Sequence, residues 1–275
     1  MSVNPTSIQS GFARSRSEAL FPRLFPDAGW WCPSLQSPGG SRLHDLSGRQ
    51  NWGTLINMAN NDWVVSGGRG ALDLDGSNDH VPLYNGRLYD LTNQSLVYTI
   101  SLWASTRNVV NTQHCFGDYN SSGVNNLFSI VFNFTTNGTL HAYGNGLGTE
   151  VLLTNALQSN VWYNIVIVRN GGSTYAAYLN GVFKGTSSSL NAVSAFSDQK
   201  ITLGRPGAYA GLYFNGQLDD ARIYNQALSA GEVRQLYQLG RGNMPRIRKR
   251  RIIEQAAGFK AYWANRRSRI IGAGI

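Results

Sequence analysis

Apolar residues along the chain come in short runs punctuated by Gly, Asn, Asp and Ser. Val97–Ala104 (VYTISLWA), Leu127–Phe134 (LFSIVFNF), Val161–Arg169 (VWYNIVIVR) and Thr174–Leu179 are rich in β-branched and aromatic residues and are predicted as strands. Asn180-Gly181 separates the last of these from Val182-Phe183. A type I′ hairpin turn needs positive φ at both central positions, and Asn-Gly is the pair that adopts it with least strain. Shorter strands are predicted at Ala71–Leu74, His80–Leu83, Thr139–Tyr143, Lys200–Leu203 and Gln217–Tyr224, at the spacing of a two-sheet sandwich. One helix is signposted. Ser229 with Glu232 makes a capping box, Leu228 and Val233 hold the hydrophobic-staple positions, and Gly240 stands where a terminating glycine belongs. That helix is expected to bury Val233, Leu236, Tyr237 and Leu239. The first 60 residues are less regular: Met1–Arg23 reads as an extended arm, and Trp30–Ser34, Leu43–Gly48 and Asn51–Asn57 as loops with a short strand. No internal repeat is present.

Composition agrees with an all-β chain. Charged residues are 14% of the 275, against about 25% in ordinary domains, while Gly numbers 31. No run of 18 apolar residues occurs, so no transmembrane helix is expected, and Met1–Ser17 lacks the apolar core of a secretory signal. Cys32 and Cys115 make neither a disulfide framework nor a metal knuckle and are expected as buried small hydrophobes. The net charge of +9 suggests a nucleic-acid partner until it is located. Arg241–Ile275 holds ten Lys/Arg and a single acid, Glu254, so the preceding 240 residues are neutral. The break predicts three parts: an arm over 1–28, a sandwich over 29–240 and a basic tail over 241–275.

Three segments together resemble the laminin G-like family of the concanavalin A-like superfamily. They are Leu43–Asn57 with Trp63-Val64 and Ala71–Val81 (ALDLDGSNDHV), then Thr99–Trp103 (TISLW), then Val161–Arg169 through YLNG and LGR to Asn215–Leu228 (NGQLDDARIYNQAL). The resemblance covers about 200 residues and implies an antiparallel β-sandwich, or jelly roll, with one short C-terminal helix and extended terminal arms. Its departures, His80 for a common Tyr and Leu218 for the usual Ile, are tolerable for packing. The closing FKAYWANRRSRIIGAGI resembles the terminus of laminin G-like proteins of tailed bacteriophages. That second resemblance implies a virion component.

Candidate chemistry follows from the fold. A glycoside hydrolase needs two carboxyl groups about 5–9.5 Å apart on one face. The E-x-D-x-x-E strand motif of the hydrolase branch is absent, and between Gly29 and Gly240 the glutamates are Glu150 and Glu232 alone. Asp219 and Asp220, being adjacent, are expected on opposite faces of a strand. No catalytic residue is therefore assigned. The resemblance implies a structural calcium site at the rim, with Asp75, Asp219 and Asp220 as ligands and Asn78 and Asp79 contributing; the competing reading makes the first a turn former and pairs one of the others with Arg222. Tyr209, Tyr213 and Phe214, in the loop PGAYAGLYFN, are candidate platforms for a glycan, joined by Trp30-Trp31 and Tyr119, whereas Trp103 and Trp162 are expected in the core. The four histidines, His44, His80, His114 and His141, lack ligand spacing.

In the tail, Arg246, Arg248, Lys249, Arg250, Arg251, Arg266 and Arg267 interleave with Phe259, Tyr262 and Trp263. Such a segment suits docking on protein, where Arg forks and buried aromatics anchor, better than on nucleic acid, because the neutral sandwich adds no basic footprint. The sequence thus reads as a non-enzymatic structural protein of a phage virion, on the surface of capsid or tail. Its arms would dock on major capsid or other virion proteins. Weak adhesion to host or environmental glycans and self-association are compatible with it. The alternative is a free-standing carbohydrate-binding module.

Overall fold

A computed structural model describes residues 24, 26, 28–83, 97–119, 125–133, 136–144, 151–187, 201–207 and 211–241. Among them the strands are β1 (Gly29–Trp31), β2 (Arg42–Leu43), β3 (Gly53–Thr54), β4 (Trp63–Ser66), β5 (Arg69–Asp75), β6 (Val81–Pro82), β7 (Val97–Thr106) and β8 (Gln113–Tyr119). They continue with β9 (Asn125–Phe132), β10 (Leu140–Gly144), β11 (Val151–Thr154), β12 (Tyr163–Asn170), β13 (Tyr175–Leu179), β14 (Val182–Thr186), β15 (Thr202–Leu203) and β16 (Asn215–Tyr224), and the helix α1 spans Ala230–Arg241. One sheet runs β14-β13-β12-β7-β16-β5-β4, with β1 also on β16; the other runs β11-β10-β9-β8-β15-β6. All pairings are antiparallel.

The two sheets face each other across one apolar core. Period-two alternation puts Tyr98, Ile100, Leu102 and Ala104 of β7 and Ile165 and Ile167 of β12 inward, against Phe128, Ile130 and Phe132 of β9. The outer face of the larger sheet is covered too. Val166, Val168, Tyr178 and Tyr224 form a second cluster there with Leu24, Leu228, Val233 and Leu236. A strand buried on both faces reads as an unbroken apolar run, which is why the NIVIV stretch of β12 does not alternate.

Asn180 (φ 53°) and Gly181 (φ 75°) make the expected hairpin turn. The capping box forms as well: Ser229 N–H and Oγ both donate to the Glu232 carboxylate, at 2.8 and 2.9 Å. Two expectations are corrected. Gly240 lies inside α1 rather than beyond it, and it is required by close approach. A Cβ there would fall 2.5 Å from Trp103 Nε1. Trp103 is buried as expected, beneath α1 on the outer face and stacked on Tyr237 at 5.7 Å between ring centroids; Trp162, expected in the core, is only half-buried. Cys32 and Cys115 are both free and buried.

Candidate functional site

The outer face of the smaller sheet is where a strand-borne pair of carboxylates would sit. Its six strands, β6, β8, β9, β10, β11 and β15, contain one acidic residue, Asp118, whose side chain lies outside the described set. Cross-strand register instead brings His114, Val131 and His141 into one row. All three are buried, and His114 Nδ1 lies 2.6 Å from Ser129 Oγ. Desolvation pushes the His114 imidazole down to about 3, so it stays neutral near neutral pH.

The three candidate calcium ligands do not converge. Asp75 is exposed and its Oδ1 accepts the Ser77 and Asn78 amides at 2.7 and 3.2 Å, holding its carboxyl below the usual range even though partial desolvation, the largest influence, acts the other way. Asp79 returns a bond to the Asp75 amide. Asp75 pairs with Asn215 across β5 and β16, so Asp219 lies four residues farther along the strand, roughly 13 Å away. Asp219 and Asp220 are themselves buried in separate ion pairs. Among the described residues no group of three His, Cys, Asp or Glu side chains is placed to hold a metal. The donor set does not fit calcium.

The aromatic platform is dispersed as well. Phe214 points inward and packs against Phe132 with ring centroids 5.1 Å apart, because alternation through the start of β16 turns it into the core. Tyr213 faces the other way, half-buried beside His80 at 5.9 Å. Trp30 and Trp31 are fully buried. Tyr209, the side chain of Tyr119 and every named tail residue, from Arg246 to Arg267, lie outside the described residues.

The feature that the sequence did not disclose is the bulge in β16. Residues 215–218 pair with β5 and residues 221–223 with β1, and the changeover falls at Asp219 and Asp220. Asp220 takes φ 52°, the register against β7 slips between Asp219 and Arg222, and both carboxylates emerge on the outer face, contrary to the expectation for adjacent strand residues. Arg69 of β5 donates to Asp219 at 2.8 Å and to the Gly240 carbonyl, and its guanidinium lies 4.2 Å above the Trp103 ring. Arg222 grips both oxygens of Asp220 at 2.8 and 2.9 Å, lies over Trp30 and donates to the Leu24 carbonyl, which also accepts Tyr224 Oη. Desolvation opposes ionisation here, but at Asp220 the Arg222 fork and the Trp30 N–H outweigh it and hold the carboxyl below the usual range. Burial, with Asp219 and Asp220 adding to it, pushes the nearby Cys32 thiol well up, so it is not a nucleophile.

On the same outer face, at the N-terminal end of α1, lies a groove of about 440 Å³. Val168, Ala176 and Leu228 line it, together with the polar side chains of Asn170, Thr174, Tyr178 and Thr186.

A family model described as the concanavalin A-like lectin/glucanases superfamily matches residues 75–234, more than half of the chain. The chain belongs to this family. Its fold is similar to domain 4 of AbnA, an extracellular GH43 arabinanase of Geobacillus stearothermophilus, in complex with arabinotriose. That likeness has a TM-score of 0.57 at 17% identity and covers 76% of this chain and 97% of that one. Trypanosoma rangeli sialidase in complex with sialic acid has a TM-score of 0.57 at 15% identity, covering 76% of this chain but 32% of the sialidase. The botulinum neurotoxin serotype D binding domain has a TM-score of 0.56 at 14% identity, covering 79% of this chain and 52% of that one. No curated protein matches the chain in sequence. This concanavalin A-like chain therefore shares its sandwich with glycosidases and with binding domains alike, and its own side chains must decide between those roles.

Proposed function

We propose that the protein is a non-enzymatic display and glycan-binding module of a phage virion, a sandwich spanning residues 29–240 anchored by residues 1–28 and 241–275. The observation that carries this reading is the network at β16. Leu24 and Gly240, where the two terminal segments join the sandwich, are held to one face by two ion pairs on adjacent aspartates. Two segments attached on one face suit anchoring, since both then leave the sandwich at one place.

Other observations support the parts. The strands of the smaller sheet supply a single acid where hydrolysis needs two. The FKAYWANRRSRIIGAGI terminus, like that of phage laminin G-like proteins, supports a place on the virion surface. Its interleaved Arg and aromatic residues suit a protein partner such as a capsid subunit. The test is retention on assembled particles: full-length protein should remain bound, and a version ending at Arg241 should wash away. Equal retention defeats the anchoring reading. Turnover of any polysaccharide, abolished by Asp118→Asn, defeats the non-enzymatic one.

A free-standing carbohydrate-binding module is the second reading, favoured by the likeness to the arabinotriose-bound domain. Glycan binding without any particle association would select it.

A further inference from the structure

The groove at the start of α1 has the chemistry of a sugar site. Its volume of about 440 Å³ lies within the usual range for small-molecule pockets, roughly 300–1,000 Å³. Its floor is apolar, Val168, Ala176 and Leu228, and its polar groups are the amide of Asn170 and the hydroxyls of Thr174, Thr186 and Tyr178. Tyr178 is only 8% exposed, yet its hydroxyl has no hydrogen-bond partner among the described residues. The ring is what is buried; the hydroxyl itself is not sealed from solvent and is open to an acceptor on a ligand. Beside it Phe183 packs edge-on, ring centroids 5.5 Å apart, while remaining 53% exposed.

Charge selects among ligands. Among the described residues no Asp, Glu, Lys, Arg or His lines the groove. The positive end of the α1 dipole, which would otherwise attract an anion, is already answered by Glu232 through the capping box.

We propose that this groove binds a neutral oligosaccharide, with Phe183 as the stacking face and Tyr178, Asn170, Thr174 and Thr186 as its hydrogen-bonding groups. Resting on the glycan-binding reading above, this places the contact on the outer face of the larger sheet and away from Tyr209, Tyr213 and Phe214. A sugar ring has an apolar face for Phe183 and a rim of hydroxyls for the others, which a purely apolar ligand lacks.

The test applies full-length protein to an array holding neutral, sialylated and sulfated oligosaccharides. Calorimetry then measures the strongest neutral ligand against wild type, Tyr178→Phe, Thr186→Val and Phe183→Ala, with an unfolding curve for each. Neutral glycans should bind and acidic ones should gain nothing from their charge. Tyr178→Phe, which preserves ring packing, should weaken binding about five- to tenfold, and Phe183→Ala at least about tenfold, with unfolding midpoints unchanged for Tyr178→Phe and Thr186→Val. Neutral-glycan affinity untouched by all three variants would overturn the groove while leaving glycan binding standing. A preference for acidic glycans would overturn it on charge. Binding to no glycan at all would instead sink the reading on which it rests.

Discussion

His114 and the Arg69–Asp219 pair put titratable groups where water does not reach, and each carries a measurable cost. The folded His114 imidazole titrates near 3, whereas an unfolded one titrates near 6.5. Above about pH 6.5 both states are neutral. Below it the unfolded chain binds the extra proton, so stability is lost as pH falls toward 3, at about 1.4 kcal/mol per pH unit from this one residue. Urea midpoints measured from pH 7 to pH 4 should show that slope, and His114→Gln should flatten it. Asp219 is fully buried against Arg69, whose side chain is 11% exposed. Asp219→Ala strands that cation and should cost about 3–5 kcal/mol, while the double change Asp219→Leu with Arg69→Met should recover most of the loss. A double-mutant cycle in urea measures both. The sequence offered the pairing of Asp219 or Asp220 with Arg222, which Asp220 makes, but neither the burial of His114 nor the Arg69–Asp219 pair. Arg222 stands two positions after Asp220, which suggests a local pair, but the partner of Asp219 stands 150 positions earlier in the chain.

At the level of elements, the strongly patterned strands and the helix were legible, and the failures have local physical reasons. β8 carries Gln, His, Gly and Asp, poor strand formers, and its pairing with β9 slips twice, so no alternation survives to be read. β11 is four residues long. The end of α1 was misplaced because Gly240 serves contact with Trp103 and not a left-handed turn. Gly240→Ala should therefore destabilise by about 1–3 kcal/mol despite the better helix propensity of alanine, since the new methyl meets the indole. Gly231→Ala is the control. Its nearest neighbour would be Ser229 Oγ at 3.9 Å, and the change should be neutral or stabilise by up to about 1 kcal/mol. Thermal unfolding of the two variants separates the effects.

For the whole molecule, the sandwich was readable because the order of its motifs constrains topology, whereas its binding surfaces depend on which face each aromatic takes. Phe214 and Tyr213 are neighbours in sequence and end on opposite sides of a sheet, and Tyr178 was hidden inside a strand motif. Millimolar calcium or a chelator should leave the unfolding temperature unchanged, because Asp75, Asp219 and Asp220 are spent on separate contacts; a rise of several degrees with calcium would contradict that. The bulge in β16 has a mechanical consequence as well. A pull applied at residues 24 and 241 enters through the Leu24 and Gly240 carbonyls, passes along Arg222 and Arg69 and meets at two adjacent aspartates of one strand. That load path crosses a clasp a few residues wide. In a force-ramp experiment with handles at those two positions, the clasp should open first while the sandwich is still intact.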